Sequence, residues 1–142
     1  MSLPLKRLLR IRALEQEIKR TALESESRRL RMIEEAADAA RQVSARSRRA
    51  FVACLEEPIA EHAIGEAAWE IAKNREERLE AIRQHQARRF EAAKQAYLDC
   101  SREELKVKTL LHAWDTTRRL EEERRVQREL DDWFNLVRRR DS

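Results

Sequence analysis

A chain of 142 residues with one glycine, Gly65, and two prolines, Pro4 and Pro58, has few ways to reverse direction. Sheet folds need a turn every ~8–12 residues, made from Gly, Pro, Asn or Asp clusters. One glycine cannot supply them, so an all-β or α/β fold is excluded. Helix remains, and the composition agrees. With 41% charged and 5% aromatic residues, the chain matches long helices and coiled coils better than a broad globular core. The length suits a single domain.

The net charge of +4 is unevenly spread. Residues 1–50 carry 13 basic and 7 acidic side chains. Residues 51–72 hold Glu56, Glu57, Glu61, Glu66 and Glu70 with no Lys or Arg. Charge polarised in this way implies two regions with different partners. No window approaches the ~18 apolar residues of a membrane span, and the start lacks the apolar stretch of a secretory signal. Cys54 and Cys100 share no metal-ligand spacing. The expectation is a cytoplasmic, reduced protein with no membrane insertion.

One strong break interrupts the helical pattern. Pro58 lacks an N–H and disfavours helical geometry in the residue before it, and Gly65 follows within two turns. The predicted layout is a first helix over about 5–56, a bend over about 57–65 and a second helix over about 66–139. Apolar residues recur in steps of mostly 3 or 4, the seam of a coiled coil. They run through Leu5, Leu8, Ile11, Leu14, Ile18, Leu30, Ile33, Ala37, Ala40, Ser44 and Phe51. After the bend they continue through Ile71, Leu79, Ile82, Phe90, Ala93, Tyr97, Cys100, Val107, Leu111 and Trp114. An antiparallel register matches Leu5 with Trp114, Leu8 with Leu111, Ile11 with Val107, Ile18 with Cys100, Leu30 with Phe90 and Ala37 with Ile82. The stretch around Leu30, Ile33, Ala37, Ile82 and Phe90 should pack best, and the polar stretch around Ser25 worst. The predicted fold is all-α: a long antiparallel two-helix coiled-coil hairpin with an overhanging C-terminal helix. A three-helix bundle with a break near Asp99-Cys100-Ser101, where Ser101-x-x-Glu104 has the form of a capping box, is the rival. The seam crosses that point without a slip, which favours one continuous helix.

In this register the first helix ends opposite Trp114, leaving residues 115–142 without an intrachain partner. Leu120, Val126, Leu130, Trp133, Phe134 and Val137 are spaced for one helical face. An unpaired apolar stripe containing Trp and Phe is the signature of an interface.

Residues suited to catalysis are scattered. His62, His85 and His112 form no His-x-x-His or His-x-x-x-His pair, and one glycine cannot build a phosphate loop. No enzyme activity, metal or cofactor is expected. Arg28-Arg29-x-Arg31, Arg46-x-Arg48-Arg49 and Arg138-Arg139-Arg140 could meet phosphates. Interleaved Glu residues and the lack of aromatics placed to stack a base favour a solvated basic face. A basic coiled-coil scaffold or a nucleic-acid-binding protein is the alternative function. A salt-dependent shift of a DNA or RNA probe would support nucleic-acid binding, and concentration-dependent mass would support a scaffold.

Leu5-x-x-Leu8-Leu9-Arg10-Ile11-Arg12, the basic first helix and Gln127-Arg128-Glu129-Leu130-Asp131-Asp132-Trp133-Phe134 together resemble the FliJ/YscO (SctO) family. These are stalk proteins of flagellar and injectisome type III secretion systems. The likeness covers the whole chain in length, polarity and layout. Asp132 stands where the family's Gln-x-Glu-Leu-Asp-Glu pattern ends in Glu. The Trp133-Phe134 ending leans towards the injectisome branch. The resemblance implies a non-catalytic role at the cytoplasmic side of the inner membrane. Leu8, Leu9, Ile11, Leu130, Trp133, Phe134 and Val137 would then meet the hexameric secretion ATPase. The bend residues Glu56, Glu57, Glu61, Ile64 and Glu66 would face the export-gate protein. Some family members also bind export chaperones.

Overall fold

A computed structural model of the chain describes residues 2–56 and 58–141. Helix α1 spans Ser2–Ala53, one 3-10 turn covers Cys54–Glu56, and helix α2 spans Ile59–Asp141. The chain is an all-α antiparallel hairpin whose second helix, 83 residues against 52, overhangs the first. Pro4 falls in the first turn of α1, where the missing N–H costs nothing, and no further Gly or Pro interrupts that helix. The amides of Glu61 and His62 donate to the Pro58 carbonyl at 3.0 and 3.4 Å, closing the first turn of α2. Glu61 in that turn and Arg138, Arg139 and Arg140 in the last one complement the helix dipole. Helix α2 passes through Cys100 and Ser101 unbroken, so the capping-box pattern there is not used as a cap.

The turn is tighter than the sequence predicts. It is complete by Pro58, and Gly65 lies inside α2 rather than in a bend reaching 65. Gly65 does not adopt a positive φ, so it is not a hinge. A Cβ added there would sit 3.4 Å from Cδ2 of Phe51, an ordinary van der Waals separation. Gly65→Ala should therefore stabilise the protein by about 0.5–1 kcal/mol through helix propensity and a less disordered unfolded chain. The expected reading is a higher urea midpoint with unchanged slope. A lower midpoint would mean that Phe51 cannot yield.

The chain forms two compact units. In the unit Ile18–Leu98, the inward side of α1 is Leu23, Glu26, Leu30, Ile33, Ala37, Ala40, Ser44, Ser47 and Phe51. On α2 it is Gly65, Trp69, Ala72, Glu76, Leu79, Arg83, Gln86, Phe90, Ala93 and Tyr97. The most buried apolar side chains are the small ones, Ala37, Ala40 and Ala72, which let the two backbones approach closely. Towards the bend, Phe51 stacks on Trp69 with ring centroids 5.7 Å apart. Ile71 and Ile82, expected on the seam, are exposed, and Leu30, Ile33 and Phe90 are only half-buried.

Near the turn the register follows the apolar matching, with Phe51 on Trp69 and Arg41 within 3.8 Å of Glu80, and a polar contact lies farther along. Gln86, 5% exposed, donates from Nε2 to the Glu26 main-chain carbonyl at 3.2 Å and to the Glu26 carboxylate. Arg89 reaches the same carboxylate at 3.2 Å. The long Gln86 and Arg89 side chains thus reach Glu26 from positions short of Ala93, its neighbour in the apolar matching. The buried Gln86 amide and the Glu26 carboxylate satisfy each other, and leaving them unpaired would cost more than a displaced apolar contact. The polar stretch near Ser25 is thus tied by hydrogen bonds rather than left loose. Farther along, Arg83 donates to the Glu80 carboxylate at 2.6 and 3.1 Å. This hydrogen bond holds Glu80 below the usual carboxylate range against an opposing desolvation, with the charges of Arg83 and Arg41 assisting. The contribution of this pair is present above the ordinary carboxylate pKa and fades as the pH falls through the lowered value.

In the second unit, Met1–Glu17 with Asp99–Ser142, α1 points Leu5, Leu9, Arg12 and Gln16 inward. Across from them on α2 are Cys100, Glu104, Val107, Leu111 and Trp114. Gln16 Nε2 donates to Ser101 Oγ at 2.7 Å, and Lys108 pairs with the buried Glu104 carboxylate at 3.1 Å. Ile11 and Leu14, read from the sequence as seam residues, are 52% and 65% exposed. In the other unit Ile18, likewise read as seam, is exposed. One helix face cannot serve both 9, 12, 16 and 11, 14, 18. The polar groups of Ser101 and Glu104 select the first set, which brings Gln16 inward.

Candidate partner-binding surfaces

The inward row of α2 stops being apolar at Trp114. Its 3–4 spacing would continue through Arg118, Glu121, Arg125, Arg128, Asp132 and Asn135, all polar. The Arg118 guanidinium covers the Trp114 ring at 5.5 Å and closes the seam. Beyond that point the apolar residues change face. At about 100° per residue, Leu130, Trp133 and Val137 fall roughly 100–160° away from Trp114. The tail stripe is therefore a separate surface and not a continuation of the hairpin seam. Leu120, Val126, Leu130 and Leu136 are exposed, Trp133 and Phe134 are each 57% exposed, and Val137 is half-covered. Trp133 and Phe134 meet edge to face with centroids 5.2 Å apart, which orders both rings without burying either. Arg125, lying 3.8 Å from Glu122 and 3.9 Å from Glu129, contributes to helix stability where there is no second helix.

The ring-binding residues expected from the sequence do not form one patch. Leu8 and Leu9 are half-buried against α2, and Ile11 faces solvent. The Gln16–Ser101 contact fixes α1 beside residues up to about 115. Leu130 therefore lies roughly 20 Å past the start of α1 at 1.5 Å per residue. The sequence missed Leu136 as a tail residue. It lies three positions after Trp133, on the side of that ring away from Leu130 and Val137.

At the turn, Glu56, Ile64 and Glu66 are exposed as expected, Glu61 is exposed at the first turn of α2, and Glu57 lies outside the described residues. The apolar content there is larger than anticipated. Ile59 is 84% exposed, and Val52 and Leu55 also face solvent. Ile59 follows the helix-starting Pro58, a place where no seam spacing applies. The surface is apolar and acidic together.

The remaining chemistry is sparse. His62 Nε2 is buried without a hydrogen-bond partner among the described residues. Cys54 and Cys100 are free thiols. Among the described residues no three His, Cys, Asp or Glu side chains converge to hold a metal ion, and no helix is long and apolar enough to cross a membrane. A groove of about 520 Å³ is lined by Arg41, Ser44, Arg48, Arg49, Val52 and Glu76. Arg41 is engaged by Asp38 at 3.2 Å and Glu80 at 3.8 Å, and Arg49 Nε bonds the Ala45 carbonyl. Compared with protein families, with curated proteins and with solved structures, the chain has no match.

Proposed function

We propose that this chain is a non-catalytic central stalk of a type III secretion export apparatus, injectisome or flagellar. In this reading the tail of α2 inserts into the hexameric secretion ATPase and the acidic turn faces the export gate. The protein works in the cytoplasm, at the apparatus on the inner membrane, without cofactor or nucleic acid. The observation that carries the proposal is the ordered, exposed Trp133–Phe134 pair on a helix with no companion. Its support from sequence is the resemblance of residues 5–12 and 127–134 to the FliJ/YscO family. An asymmetric hairpin in a six-fold ring breaks the equivalence of the subunits. This lets it bias ring assembly and couple nucleotide turnover to the gate. Co-purification with a hexameric secretion ATPase, and the ATPase rate with and without the chain, test the proposal. No co-purification and an unchanged rate would reject it.

The turn carries a second expectation. A surface with Glu56, Glu61, Glu66 and Glu70 and no Lys or Arg between residues 51 and 72 suits a basic partner. Glu56→Lys, Glu61→Lys and Glu66→Lys together should weaken gate binding about tenfold at low salt, and the difference should shrink as salt screens it. Helix content should not change. Full binding at low salt would remove the turn from the gate contact.

A further inference from the structure

Helix α1 leaves a second apolar row unused by the hairpin. Leu3, Ile11 and Leu14 lie on its outer side, all exposed. Around them stand Lys6, Arg7 and Arg10, exposed and without a carboxylate partner among the described residues. The tail stripe of α2 carries carboxylates at its centre, with arginines before and after them. Beside Trp133 and Leu136 are Glu129, Asp131 and Asp132. Asp131 accepts a hydrogen bond from Gln127 at 3.1 Å, and Glu129 is 3.9 Å from Arg125. Asp132 has no cation partner among the described residues. One chain thus carries an apolar row beside Lys6, Arg7 and Arg10, and another in which Glu129 and Asp132 flank Trp133 and Leu136 between Arg125 and Arg140.

The two rows cannot meet within one molecule. Residues 5–16 of α1 are already committed beside residues 100–114, and the tail continues away from them as unbroken helix. A second copy of the chain can bring them together. We propose that two copies pair about a two-fold axis, each laying its tail along the outer face of the other's α1. Two-fold pairing makes the contact occur twice from the same residues, which closes the assembly at a dimer. It also sets the tails antiparallel to one another, so each runs parallel to the other copy's α1. At one constant offset in numbering, Ile11 falls beside Trp133 and Leu14 beside Leu136 of the second copy. The same offset sets Arg7 beside Glu129 and Arg10 beside Asp132. The spacing of Arg7, Ile11 and Leu14 repeats that of Glu129, Trp133 and Leu136, so the match holds over more than one turn. The inference goes beyond the stalk reading and does not depend on it. Because the pairing covers the Trp133 face, a paired copy could not use that face for another partner.

The test uses the full chain and measures mass by sedimentation equilibrium and light scattering over a wide protein concentration range at low salt. The expected result is a concentration-dependent rise from one chain of 16.9 kDa to two. Arg10→Asp alone and Asp132→Arg alone should each raise the dissociation constant about tenfold or more. Both substitutions in one chain should restore pairing, because every contact then carries the swapped charges. Circular dichroism should be the same for all four proteins, since both positions are exposed. Arg7→Glu with Glu129→Arg is a second swap at the same offset. A mass of one chain at every concentration would overturn the proposal. So would a dimer indifferent to Arg10→Asp but lost in Trp133→Ala with Phe134→Ala, which would indicate tails pairing with tails. Failure of both swaps to restore pairing would overturn it as well.

Discussion

Ala37→Asp should unfold much of the hairpin's middle, at a cost of roughly 3 kcal/mol. Ala37 is 1% exposed, the lowest value among the buried apolar residues, and lies on the row with Ala40 and Ser44 where α1 faces α2. A carboxylate placed there loses its water and gains no designed partner. Asp is also too short to carry its charge to the rim, as a Lys or Arg side chain could. Its volume pushes apart helices that small side chains had let approach. The helix signal should melt roughly 10 °C lower. Ala39→Asp isolates the part due to helix propensity, because Ala39 is exposed on the same helix. That variant should lose only a few tenths of a kcal/mol. Equal losses in the two variants would show that burial at Ala37 contributes nothing, and the close approach of α1 and α2 would have to be abandoned.

The helices were legible because one kind of signal decides them. A single Gly and Pro58 allow one turn, and steps of 3 and 4 demand a seam. The phase of that seam was legible along most of its length, at Leu30, Ile33, Ala37, Ala40, Ser44 and Phe51 on α1 and at Leu79, Phe90, Ala93, Tyr97, Cys100, Val107, Leu111 and Trp114 on α2. Near the start of α1 the most hydrophobic set, Ile11, Leu14 and Ile18, competes with Leu9, Arg12 and Gln16 for the same side. Hydrophobicity chooses the first set and the structure buries the second. The deciding groups are Gln16 with Ser101 and Glu26 with Gln86, pairs far apart in sequence, each of which reads alone as ordinary surface. A buried polar contact depends on two residues at once, so no one-dimensional periodicity can find it. Gly65 was misread for a related reason, since a glycine inside a helix and a glycine in a bend look alike until the ring of Phe51 is seen beside it.

The tail was legible as an unpartnered stripe, but its separation from the seam emerges only when the inward row is followed past Trp114 into Arg118, Glu121 and Arg125. That separation sharpens what its loss should do. Under the proposed stalk function, Trp133→Ala with Phe134→Ala should abolish stimulation of a secretion ATPase, with affinity falling at least ~30-fold, equivalent to about 2 kcal/mol. Large aromatic side chains held in place before binding lose little freedom on docking, and each ring constrains the other by its edge-to-face contact. The melting midpoint should stay where it is. Both rings are more than half exposed, and they lie beyond the last inward residue, Trp114, so no hairpin contact depends on them. The exposed tail helix itself should persist, because Ala favours helix more than Trp or Phe does. Full stimulation by the double variant would take the tail out of the ring. A lowered melting midpoint would instead mean that the two rings fold back onto the hairpin, and the exposed stripe would be part of its core.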